Sequence, residues 1–100
     1  MHGQAWLSGR REISLSGEID FDTAPELDRL VKSLLAEAPG IDWQLNMDGV
    51  VRVNSAALAL LLSWHRFLAP HQGALEIKAM PGELIDLARV CGVDEILQAH

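Results

Sequence analysis

The chain is poor in the residues that do chemistry unaided. It holds one cysteine, no tyrosine, and four histidines among one hundred residues. A lone Cys91 excludes an internal disulfide. His2, His65, His71 and His100 show no metal-ligand spacing. Basic residues are also scarce: eight Lys and Arg against fourteen Asp and Glu leave a net charge of −6. Nucleic-acid backbones and anionic lipid headgroups are bound by clustered cations, so the charge balance opposes both as partners. The longest apolar run, from Ala56 to Leu62, is far short of the roughly 20 residues that span a bilayer. Met1-His2-Gly3-Gln4 lacks a basic region followed by an apolar stretch, which argues against a secretory signal and for a cytoplasmic address. No Gly-rich Lys-Ser/Thr loop, internal repeat, linker or low-complexity tract occurs.

What is present is a globular composition, 49% apolar and 22% charged. One hundred residues bury roughly 60 to 65% of the unfolded surface, enough for one core, so a single domain over residues 1–100 is expected. Ala5-Trp6-Leu7, the turn Ser8-Gly9-Arg10 and the alternating Glu12–Ser16 read as a hairpin. Thr23-Ala24-Pro25-Glu26 has the form of a capping box, and Leu27, Leu30, Val31, Leu34 and Leu35 follow at helical spacing until Pro39-Gly40. Ile41, Trp43, Leu45 and Met47 alternate with polar residues as a strand, followed by a turn-rich exit through Asp48-Gly49 to Val53. A second helix runs from about Ser55 to Ala69. Leu75–Ala79 alternates again. Pro81-Gly82-Glu83 opens a third helix that Gly92 stops, and Asp94–Leu97 forms a short closing helix. The order ββαβαβα predicts an α/β (α+β) fold with a mixed sheet of four to five strands. Alternation in every strand places the helices mainly on one face.

The most informative stretch is Asn54-Ser55-Ala56-Ala57-Leu58-Ala59-Leu60-Leu61-Leu62, a polar pair at the head of an abruptly apolar helix. Two apolar stripes run along it. Leu58, Leu61, Leu62, Leu68 and Ala69 form one; Ala56, Ala59, Leu60, Trp64 and Phe67 form the other. One stripe suffices for a core. The second, with Trp64 in it, reads either as an interface anchor or as the far side of a helix buried twice over. Ser55 reads either as part of a helix cap or as a functional hydroxyl at the positive end of the helix dipole. Glu18, Asp20 and Asp22 suggest a metal site, but a solvated loop ahead of a helix, with Asp22 as a cap, accounts for them better. His65 reads as a partly buried, hydrogen-bonded imidazole, and Cys91 as a packed thiol beside Leu84, Leu87 and Ala88. A Ser55–His65 hydrolase is excluded, because ten residues of helix separate the pair by about 15 Å.

The element order, together with Ser16-Gly17-Glu18-Ile19-Asp20, Val53-Asn54-Ser55-Ala56-Ala57-Leu58 and Ala88-Arg89-Val90-Cys91-Gly92-Val93, resembles the STAS domain family from about Leu7 to Leu97. Anti-anti-sigma factors are its best-known members. In that family the loop before the second helix usually reads Asp-Ser-Ser-Gly-Leu, or Asp-Thr-Gly-Gly-Leu in the small STAS subunit of the Mla phospholipid ABC transporter. Here it reads Asn54-Ser55-Ala56-Ala57-Leu58, and the following Ala59-Leu60-Leu61-Leu62 is more like the Mla subunit. The resemblance implies a non-enzymatic regulatory subunit, without metal or cofactor, that binds the transporter's ATPase subunit. It would reach the inner membrane only through that partner. The partner surface would comprise Asn54, Ser55, Ala56, Ala57, Ala59, Leu60 and Trp64, with Glu18, Asp20 and Asp22 in the adjoining loop. The alternative it implies is an anti-sigma factor antagonist, phosphorylated by a serine kinase at Ser55.

Overall fold

In the computed structural model, which describes residues 3–97, strands β1 (Gln4–Gly9) and β2 (Glu12–Ile19) form an antiparallel hairpin. Helix α1 (Ala24–Leu35) carries the chain over to β3 (Asp42–Val53), which pairs parallel to β2. Helix α2 (Ser55–Leu68) and a 3₁₀ turn at Ala69–His71 lead to β4 (Ala74–Lys78), parallel to β3. Helices α3 (Gly82–Val90) and α4 (Asp94–Leu97) follow. The result is a four-stranded mixed sheet in the order β1-β2-β3-β4. His2 and His100 lie outside the described residues.

The alternation along the strands sorts the two faces. Ile13, Leu45 and Ile77 stand in register across three strands and point toward the helices. The other face is polar. There Glu12, Gln44 and Glu76 align, and Ser14, Asn46 and Lys78 form the next row. Period-two side chains on a half-covered sheet produce this division directly. Lys78 Nζ spans the polar face, donating to Glu12 Oε1 at 3.1 Å and to Gln44 Oε1 at 3.3 Å. Ser14 Oγ donates to Ser8 Oγ, which in turn donates to Glu12 Oε2. These bonds hold Glu12 ionised below its ordinary pKa, Lys78 contributing most and Ser8 next.

Three details differ from the sequence expectation. Asp48-Gly49 does not end β3. The strand continues to Val53 with two extra residues opposite β2, one between Asn46 and Gly49 and one between Val50 and Arg52. Such bulges bend a strand and re-aim its end, here toward the start of α2. Gly49 is needed at this crossing, because a Cβ there would lie 2.9 Å from Cβ of Ser16. On α1 the buried stripe is Leu27, Val31 and Leu35, while Leu30 is exposed. Cys91, the C-cap residue of α3, is exposed rather than packed.

Helix α2 packs against α1, α3 and β4. Ala57, Leu58, Leu60, Leu61, Trp64 and Leu68 all join the core cluster, so both of its stripes are largely covered. Trp64 is fully buried, and its indole N–H donates to Asp28 Oδ1 on α1 at 3.0 Å. The expectation that Trp64 faces a partner is therefore corrected: α1 already occupies that side of the helix. Among the described residues no helix is long and apolar enough to cross a membrane.

Candidate functional site

Two loops meet at the carboxyl ends of β2 and β3, the end of a parallel sheet where binding sites usually form. The Asn54 amide donates to Ile19 O at 3.3 Å and ties the loops together. Asn54 is the N-cap of α2: its backbone is extended, and its Oδ1 accepts the Ala56 N–H at 2.8 Å. Ser55 is thereby relieved of capping. It occupies the first helical position, is exposed, and its hydroxyl enters no hydrogen bond found among the described residues.

The β2–α1 loop is built differently from the expected capping box. Thr23 has helical backbone angles and makes no side-chain cap bond. Its Oγ1 instead accepts from the Asp20 amide at 3.0 Å and donates to Glu18 O at 3.2 Å. Asp20 closes the turn ahead of the helix: its Oδ1 accepts the amides of Asp22 at 2.9 Å and Thr23 at 3.0 Å. A carboxylate that close to a helix start also meets the favourable end of the dipole. The expected cap Asp22 contributes its amide to this turn rather than a carboxylate.

Between the loops and the two helices runs an open apolar groove of about 330 Å³. Ala24, Pro25 and Asp28 line it from α1, and Ala56, Ala59, Leu60 and Ser63 from α2. Phe21 stands at its mouth with 69% of its surface exposed. Ala59 is exposed, whereas Ala56 and Leu60 show only their edges to the groove, and Ala57 points into the core. Glu18, Asp20, Arg52 and Asn54 line a smaller depression of about 210 Å³ beside it. The structure thus brings Asn54, Ser55, Ala56, Ala59, Leu60 and the acidic loop to one end of the molecule, and leaves Trp64 and Ala57 inside. Phe21 and Arg52 escaped sequence reading. Phe21 has no periodic partner to flag it, and its only signal is an aromatic ring between two aspartates in a loop. A larger hollow of about 490 Å³ lies at the opposite end of the sheet, among Arg10, Arg11, Glu12, Asp42 and Glu76. Its mixed charges and remoteness from Ser55 set it apart.

The family model described as "Mlab, STAS domain" matches residues 2–98. This chain belongs to the STAS domain family. Among solved structures, the STAS domain is similar to a chain of the Acinetobacter MlaFEDB complex in an ATP-bound conformation, with 23% identity over 97% of this chain and 99% of that one, at a TM-score of 0.77. It is also similar to an anti-sigma factor antagonist from Mycobacterium paratuberculosis, with 21% identity over 95% of this chain and 80% of that one, at a TM-score of 0.75. The unphosphorylated anti-sigma factor antagonist SpoIIAA shares 14% identity over 93% and 83% of the two chains, at a TM-score of 0.73. At these identities the likeness is one of fold. No curated protein matches the chain by sequence.

Proposed function

We propose that this STAS domain is a cytoplasmic accessory subunit that binds the ATPase subunit of an Mla-type phospholipid ABC transporter and favours one of its conformations. The observation that carries the reading is the placement of Ser55: exposed, released from capping by Asn54, and adjoining an apolar groove of about 330 Å³. Mixed polar and apolar ground of this kind suits a protein contact. The family match to a model described as Mlab supports the transporter assignment, as does the near-complete coverage of a chain from an MlaFEDB complex. On this reading ATP chemistry belongs to the partner, and the STAS domain acts through differential affinity for two partner states.

A test is copurification of the chain with the ATPase subunit encoded in the same genome. Ser55→Ala weakens binding modestly. Ser55→Glu and Ala59→Glu, which place charge on the surface without opening the core, abolish it. Equal recovery of the ATPase by the parent and by both glutamate variants would sink the proposal.

A second reading, an anti-sigma factor antagonist switched at Ser55, is favoured by one observation: the Ser55 hydroxyl has no hydrogen-bond partner among the described residues and stands at a helix start, where a phosphate would meet backbone N–H groups. Asn54 weakens that reading. Its carboxamide is held by the Ala56 amide and offers no carboxylate to orient the acceptor hydroxyl. Phosphate transfer to Ser55 from a serine kinase of the same genome, detected by mass spectrometry, would favour the second reading over the first.

A further inference from the structure

Phe21 is more exposed than any other aromatic ring among the described residues, at 69%. Single exposed apolar residues are ordinary and mean little alone. Val51 and Val90 are as exposed or more so, yet neither lines the groove between α1 and α2. Phe21 does, so its ring and the groove form one continuous apolar surface. The backbone on both sides of Phe21 is held in place. The Asp20 carboxylate accepts the amides of Asp22 and Thr23, the Asp20 amide donates to Thr23 Oγ1, and the Ala24 amide donates to Asp20 O at 2.9 Å. A loop fixed before binding loses little conformational entropy on docking, and buried aromatic anchors dominate interface energetics.

Charge specifies the occupant. Phe21 is flanked in sequence by Asp20 and Asp22, and Asp22 is exposed with its carboxylate outside the turn's hydrogen bonds. The chain as a whole carries −6. Resting on the functional reading above, we propose that Phe21 is the anchor of the docking surface and enters an apolar socket on the protein partner whose rim carries Lys or Arg facing Asp22. Aromatic insertion supplies residence time. The opposed charges supply approach speed and register.

The experiment measures association and dissociation rates of the parent against two purified proteins from the same genome, the transporter ATPase subunit and an anti-sigma kinase, at low and high salt. Phe21→Ala raises Kd at least tenfold, chiefly through faster dissociation, with an unchanged melting temperature. Phe21→Leu recovers part of the loss. Asp22→Lys slows association and flattens its salt dependence. Val90→Ala, a control remote from the groove, leaves both rates unaltered. If the parent binds the kinase and not the ATPase, the transporter reading fails, and the Phe21 proposal is judged on the kinase rates. Binding of either partner that survives Phe21→Ala within threefold overturns the Phe21 proposal alone. Absence of binding to both proteins overturns the two together.

Discussion

The indole N–H of Trp64 donates to Asp28 Oδ1 at 3.0 Å, joining α2 to α1 beneath the groove. Asp28 also meets Lys32 Nζ at 3.2 Å through its other oxygen, one helical turn along α1. The pair therefore sets the spacing of the two helices whose facing residues form the proposed docking surface. Trp64 is completely enclosed. Its truncation to alanine leaves a large cavity, and such changes cost about 3–5 kcal/mol. Trp64→Phe keeps most of the volume and leaves one carboxylate oxygen without its indole donor, for a smaller loss of about 1–2 kcal/mol. Urea denaturation of the two variants checks the order. Asp28→Asn, which retains an acceptor oxygen, is expected to fall between Trp64→Phe and the parent.

On the proposed function, stability and binding separate at the head of α2. Asn54 accepts the Ala56 amide and Ser55 does not. Asn54→Ala removes the cap and lowers stability by about 1 kcal/mol. Ser55→Ala leaves the melting temperature within a degree or so of the parent, while still weakening partner binding. If Ser55→Ala destabilised the domain as much as Asn54→Ala, the serine would be a cap and its functional assignment would lose its basis.

Much of this architecture is written in local patterns. Pro81 and Gly92 bracket α3, Asn54 starts α2, and the alternation of Trp43, Leu45 and Met47 places the helices on one face of the sheet. Those signals are local because each depends on backbone geometry within a few residues. What escaped them depends on distant partners. Asp48-Gly49 has turn composition, yet the parallel neighbour β2 accepts the extra residues as bulges and the strand runs on. Trp64 lies on a stripe that periodicity can assign to a partner or to a second helix, and only the position of α1 decides. Thr23 and Glu26 fit a capping-box pattern, but Asp20, three residues before Thr23, takes the Thr23 amide that Glu26 would accept in such a box. Of the site, Asn54 and Ser55 were legible because helix starts are. Phe21 was not, because exposure in a loop has no period.

Gly49 offers a sharper check on the bulge. A Cβ at this position would sit 2.9 Å from Ser16 Cβ and 3.1 Å from Leu15 O, both on the neighbouring strand. Neither is the far end of a flexible chain, so relief requires the two strands to part. Gly49→Ala is therefore expected to destabilise the domain by about 1–3 kcal/mol, the range for overpacked sites. A neutral Gly49→Ala in thermal denaturation would show that β3 leaves β2 before this point.

The polar face of the sheet makes a prediction about pH. Lys78 and Ser8 donate to the Glu12 carboxylate, which lowers its pKa in the folded protein. In the unfolded chain those donors are gone, and the group titrates near the ordinary glutamate value of about 4.3. The unfolded state then binds the proton more readily, so the contribution of Glu12 is present above that value and is lost as pH falls through the lower, folded pKa. Glu12→Gln is expected to melt slightly below the parent at pH 7, by a margin small enough for an exposed, salt-screened pair. The gap should close in acid, where the parent's carboxylate is also neutral, and shrink at high ionic strength. A difference that persisted unchanged from pH 7 to pH 3 would mean that Glu12 contributes through packing of its side chain rather than through its charge.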